Sequence, residues 1–99
     1  MTAAAIYISG PMTGLPDLNF PAFHAAAAKL RDLGLLVVNP AEFGEGAGLR
    51  WSDYMRKDIR ALMDCGALYM LPGWSESRGA RLEHHIGVEL GMAVLGAES

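Results

Sequence analysis

Two kinds of apolar run alternate along this chain. Ala3 to Ile8 is continuously apolar and ends in Ile6, Tyr7 and Ile8, residues that favour a strand. It stops at Ser9-Gly10-Pro11-Met12-Thr13-Gly14, a turn whose residues permit close backbone approach. Pro21 suits the first turn of a helix, and Phe23 to Leu33 continues with good helix formers until Gly34 caps it. Leu35 to Val38 is short and wholly apolar, which predicts a second strand buried on both faces and ended by Asn39-Pro40. Small and charged residues between Ala41 and Arg50 predict a mobile loop. Ser52 suits the cap of a helix reaching about Asp64, with Met55, Ile59, Leu62 and Met63 at core spacing. Ala67 to Leu71 predicts a third strand, stopped by Pro72-Gly73. Helical spacing then resumes from about Gly79 to Leu95, with Leu82, Ile86, Leu90, Ala93 and Val94 turned toward a core.

Strands alternating with helices predict a three-layer α/β domain with a small parallel sheet, here in the order 2-1-3. Such sheets hold ligands beyond the carboxyl ends of their strands, where the strand order reverses. That places the turn after the first strand, Ser9 to Gly14, opposite the turn after the third, Pro72 to Arg78. Three strands leave free edges, so a homodimer or higher oligomer is expected.

Composition narrows the class. The 99 residues suffice for one domain with one core, and 52% hydrophobic with 19% charged residues is globular rather than disordered. A formal charge of −3 argues against binding to nucleic acid polymers or membrane surfaces. Arg50, Arg56, Arg78 and Arg81 still allow a local basic patch. The apolar runs fall far short of the roughly 20 residues a membrane span needs, and Met1 to Ile8 lacks the cationic start of a signal peptide. A single cysteine, Cys65, excludes an internal disulfide and fits a reducing compartment. A soluble cytoplasmic protein is expected.

The chemistry concentrates between Leu71 and Gly91. A strand, a polar loop and a helix directed at one point would aim backbone N–H groups at an anion, with Ser77 and Gly79 at the junction and Glu83 about one turn inside the helix. The same residues also have plain readings. Glu83 is then a carboxylate near a helix start, Asp58 a solvent-facing residue between Lys57 and Arg60, and Ser77 an N-cap. Trp74 suits either a base stack or a subunit contact, while Trp51 suits packing before the second helix. His85 and Glu89 lie one turn apart, but two ligands on one helix without an HExxH pattern call for no metal, and no cofactor is implied.

Two motifs are familiar together. Tyr7-Ile8-Ser9-Gly10-Pro11-Met12 resembles the opening strand and loop of the nucleoside 2-deoxyribosyltransferase superfamily. Ser77-x-Gly79-x-x-x-Glu83 resembles its catalytic motif, in the form carried by the 2'-deoxynucleoside 5'-phosphate N-hydrolases. The whole pattern, with Leu-Pro-Gly-Trp before Ser-x-Gly-Ala, is similar to a family of short uncharacterised domains common in phage and prophage genomes. The resemblance implies a flavodoxin-like (Rossmann-like) fold and cleavage of a base–sugar bond in a small nucleoside or nucleotide. By position, Glu83 would be the nucleophile at the anomeric carbon and Asp58 the acid that helps protonate the departing base. Ser77 would contact a 5'-phosphate, where the transferases carry Asp. Tyr7, Gly10 and Met12 would belong to the base and sugar pocket, with Ser9 and Pro11 of the same turn also binding substrate, Asn39 at another pocket edge and Gly79 beside Ser77 where a phosphate is suited.

The chemistry so implied needs one ionised carboxylate and one protonated one. Helix dipoles would hold Glu83 ionised, and burial would raise Asp58. The sequence departs from the superfamily in three ways. Gly66 stands where an Asp usually follows the Cys, Ala80 stands for a Thr of the transferases, and the chain is shorter. The shorter chain and Gly66 motivate an alternative, a nucleotide-binding or sensing module without turnover; a third reading, an interaction domain with no ligand, is favoured if Asp58 and Glu83 do not converge on one crevice.

Overall fold

The computed structural model describes residues 4–44 and 49–99, so the middle of the expected 41–50 loop and the first residue of the expected first strand lie outside it. Four parallel strands, β1 (Ala5–Ser9), β2 (Val37–Val38), β3 (Cys65–Met70) and β4 (Ala93–Gly96), form one sheet in the order β2-β1-β3-β4. Helices α1 (Phe20–Asp32), α2 (Trp51–Leu62) and α3 (Arg78–Glu89) join them. The expected α/β fold with its small parallel sheet and 2-1-3 core is present, with a fourth strand added beside β3.

Each face of the sheet has its own core. Tyr7, Leu68 and Met70 pack with Leu62 and Ala80 on one face. Ile8 and Leu71 pack with Phe23, Ala26, Ala27 and Ala41 on the other. Alternation along β1 therefore sends Tyr7 and Ser9 to one side and Ile8 to the opposite side.

Three local expectations change. The last helix ends at Glu89, not Leu95; Gly91 takes φ 74°, and Ala93 to Gly96 pair with β3 from Ala67 to Met70. Helical and strand periodicity cannot be told apart over so short an apolar stretch, and the open edge of β3 decides it. Leu90, Ala93 and Val94 are consequently exposed rather than in the core, and Leu82, within α3, is exposed as well. The second strand is only two residues long and lies at the sheet edge, so Leu35 and Leu36 face solvent. Finally, α2 begins at Trp51, one residue before the expected cap at Ser52. The Asp53 carboxylate accepts from the Arg50 N–H at 2.9 Å and closes that helix end instead.

Gly66 also finds its reason here. Ala5 pairs with Cys65 and Ile6 with Ala67, so Gly66 is the extra residue of a β-bulge. A Cβ there would fall 2.5 Å from the Ala4 Cβ. It stands at the start of β3, whereas the cavity opens beyond the strand's end, so its departure from the superfamily pattern is a matter of sheet geometry.

Candidate functional site

Beyond the carboxyl ends of β1 and β3 lies a cavity of about 850 Å³. Gly10, Pro11 and Met12 of the first turn line one side, and Ser77 and Gly79 at the start of α3 line another. Gly10 is needed where the two turns meet, since a Cβ there would lie 2.7 Å from the Leu71 Cβ. Gly79 likewise lets α3 approach α2, where a Cβ would stand 3.0 Å from the Met55 Sδ. Ser77 caps α3, its Oγ accepting from the Ala80 N–H at 3.2 Å. The cap hydroxyl and the cavity wall are the same residue.

Glu83 forms the floor. It is 5% exposed, and each carboxylate oxygen is held by a hydroxyl of β1. Tyr7 Oη donates to Oε2 at 2.5 Å, and Ser9 Oγ donates to Oε1 at 2.7 Å. Tyr7 and Ser9 are two residues apart on a strand, which is why both hydroxyls reach one carboxylate. Burial, with the nearby carboxylates of Glu83 and Asp58, pushes the Tyr7 phenol well above its ordinary value, so it stays a donor.

The electrostatics of Glu83 differ from expectation. Burial raises its pKa to about 7, the two hydroxyl bonds pull it down, and Asp58 adds to the rise. The helix dipole acts mainly within the first turn, and Glu83 lies beyond it in a helix that starts at Arg78. Desolvation wins, and Glu83 is far from the fully ionised group that the helix start suggested. Asp58, on α2, lines the same cavity and is raised by burial to about 6, with Lys57 opposing the shift.

Tyr7, Gly10, Pro11, Met12, Asp58, Ser77, Gly79 and Glu83 thus border one space. Ser9 and Asn39 do not. Ser9 is 1% exposed and sits behind the Glu83 carboxylate. Asn39 is equally buried; its Oδ1 accepts from the Ala41 N–H at 3.0 Å and its Nδ2 lies 3.2 Å from His24 Nδ1. It shapes the turn after β2 and does not form a pocket edge.

Other residues reach the cavity without having been expected there. Trp51, Tyr54 and Met55 line it together with Asp58. The spacing i, i+3, i+4, i+7 was a readable signal, because it puts these four on one face of α2. Trp51 is therefore more than a packing residue: the Arg78 guanidinium lies 3.7 Å from its ring centroid, at the cavity wall. Trp74, by contrast, stacks on His84 at 4.2 Å and donates to the Ala97 carbonyl at 2.9 Å, away from the cavity. Arg81 donates to the Ser75 carbonyl rather than lining the site. Among the described residues no group of three or more His, Cys, Asp or Glu side chains is arranged to hold a metal.

A family model matches residues 4–96, described as a domain of unknown function, DUF4406. The chain belongs to that family. No curated protein matches its sequence. Among solved structures, this DUF4406 domain is similar to the 2-deoxyribosyltransferase of the psychrotolerant bacterium Bacillus psychrosaccharolyticus. The TM-score is 0.74 at 20% identity, over 94% of this chain and 71% of that one. It is also similar to the 2-desoxiribosyltransferase of Leishmania mexicana, with a TM-score of 0.69 at 20% identity, over 95% of this chain and 63% of that one. The chain spans less than two thirds of the Leishmania protein. At this identity the likeness establishes the shared flavodoxin-like fold.

Proposed function

We propose that this DUF4406 domain cleaves the base–sugar bond of a nucleoside or nucleotide, with Glu83 as nucleophile and Asp58 as acid. The observation that carries the reading is the buried Glu83 carboxylate, held by two hydroxyls at the floor of a cavity that Asp58 also borders. Glu83 in its ionised form attacks the anomeric carbon as the glycosidic C–N bond breaks. The bond's electron pair leaves with the base, which takes a proton from Asp58. Water, or a second base, then displaces Glu83 from the sugar, and Asp58 takes the proton given up when water is the acceptor. Such chemistry needs one carboxylate ionised and one carboxyl protonated, and with Asp58 at about 6 and Glu83 at about 7 both groups titrate near neutral pH.

The substrate class favoured is a deoxynucleoside 5'-phosphate, and hydrolysis is favoured over base exchange. Ser77, where the transferases carry Asp, and the Arg78 guanidinium stand together at the cavity wall and suit a phosphate. A cytoplasmic protein of phage or prophage kinship, acting on that nucleotide as a dimer or higher oligomer, completes the proposal. Incubating the protein with each deoxynucleoside 5'-phosphate should release free base, and Glu83→Ala should abolish release while remaining folded. No release from any nucleotide by folded wild type defeats the reading.

One observation favours a nucleotide-binding module without turnover. A Glu83 raised to about 7 is substantially protonated at neutral pH, and a protonated carboxyl is not a nucleophile. Calorimetric nucleotide binding that survives Glu83→Ala, with no product formed, selects this second reading.

A further inference from the structure

The two hydroxyls that hold Glu83 are not equivalent. Tyr7 borders the cavity, whereas Ser9, 1% exposed, does not. Its position is fixed by the sheet, since it pairs with Met70 and its carbonyl accepts from the Leu71 N–H at 2.8 Å. Its Oγ donates to Glu83 Oε1, while the cavity-facing Tyr7 donates to Oε2.

We infer that Ser9 is a positioning residue for the proposed reaction: it anchors Oε1 as the spectator oxygen and leaves Oε2, on the Tyr7 side, as the oxygen that attacks the sugar. The inference rests on Glu83 being the nucleophile. When Oε2 bonds to the anomeric carbon and the C–N bond breaks, the carboxylate becomes an ester and Oε1 becomes its carbonyl oxygen. A carbonyl oxygen is a better acceptor than the ether-type oxygen of an ester, so the Ser9 bond persists through the first half-reaction. In the second, water oxygen bonds to the anomeric carbon, the Oε2–carbon bond breaks, and the electron pair returns to a carboxylate that Ser9 already holds. Tyr7 meets the opposite fate: its acceptor, Oε2, weakens as the ester forms, which frees its hydroxyl toward the sugar.

A donor to the ionised form also favours that form. The other charged or titratable groups that face this carboxylate or share its cavity are Tyr7 from β1, Tyr54, Lys57 and Asp58 from α2, Glu76 in the turn before α3 and Arg78 at its start. Ser9 stands outside this set: it is uncharged, bonds Glu83 from behind and does not line the cavity.

The test is Ser9→Ala beside Ser9→Thr, which keeps the hydroxyl, each checked for folding by thermal melt. Two readouts are used: carbon-13 NMR titration of the Glu83 carboxyl, and base release from deoxynucleoside 5'-phosphates across pH. Ser9→Ala is expected to raise the Glu83 titration midpoint, and to lower kcat about 10- to 100-fold with nucleotide affinity unchanged, the loss of one charge-assisted hydrogen bond. Ser9→Thr is expected to recover most of both. An unchanged midpoint in folded Ser9→Ala, or a loss in affinity in place of kcat, overturns the inference. If folded wild type releases no base while the midpoint still rises in Ser9→Ala, the nucleophile reading has failed and the catalytic role of Ser9 falls with it. The titration separates that failure from a fault in the Ser9 assignment itself.

Discussion

The Tyr7 hydroxyl lies 2.5 Å from Glu83 Oε2, tying the first strand to the third helix at the floor of the cavity. Both partners are buried, and the phenol is held protonated, so the bond has one polarity: Tyr7 gives and Glu83 receives. Tyr7→Phe keeps the ring that packs with Leu68 and Met70 and removes the donor alone. Base release should fall about 10- to 100-fold, the range for a hydrogen bond to a charged group, with the folded state retained by circular dichroism. An unchanged rate would show that the hydroxyl does not act on Glu83 in turnover.

Stability should depend on pH through Glu83. Its pKa is about 7 in the folded chain against 4.5 for an unperturbed group. The folded state therefore binds the proton more tightly, and its advantage is full below pH 4.5 and lost as pH rises through 7. A difference of that size corresponds to about 3 kcal/mol. Glu83→Gln removes the ionisation, so it should raise the melting temperature at pH 8 and have much less effect at pH 4. Equal shifts at both pH values would contradict the burial argument.

The rate profile should be a narrow bell. The productive form has Glu83 ionised and Asp58 protonated, the reverse of the order set by values of about 7 and about 6. Only a minority of molecules hold it at any pH, with a maximum in kcat/KM between the two limbs, which belong to the coupled pair. Asp58→Asn should remove the falling limb and lower the maximum. A profile still rising at pH 9 in wild type would exclude Asp58 as the acid.

Arg78 is held over Trp51 at the cavity wall and has an exposed side chain. Arg78→Ala should weaken binding of a deoxynucleoside 5'-phosphate about tenfold, as expected for a charge-assisted contact, and leave the unphosphorylated nucleoside unaffected. Calorimetry of the two ligands side by side checks this. Equal losses would locate the effect in the Trp51 stack rather than in phosphate binding.

Gly87 measures how closely α3 lies on the sheet. A Cβ there would stand 2.2 Å from the Leu68 Cδ1, and Leu68 is fully buried with little room to move. Gly87→Ala should cost about 1–3 kcal/mol by overpacking, despite the better helix propensity of Ala. Denaturant titration gives the value, and a stabilised variant would mean that the helix can shift outward.

Much of this was legible from local pattern alone. The order of strands and helices and the turns at Gly10-Pro11 and Pro72-Gly73 depend on residue type and spacing within a few residues, whereas the choice of Glu83 and Asp58 comes from the resemblance of two motifs to a known superfamily. Chain sterics and periodicity act at that range, and they place the turns after β1 and β3 at the same end of a parallel sheet. Tertiary contacts decided the rest. The edge of β3 turned Ala93–Gly96 from helix to strand, since only a neighbour with free hydrogen bonds distinguishes the two. Packing against β1 buried Glu83, so that desolvation outweighed the helix start in setting its proton affinity. Sequence pattern puts Ser9 among the pocket residues, but it lies behind the carboxylate: sequence marks the face of a strand, and what stands against that face belongs to an element 74 residues away.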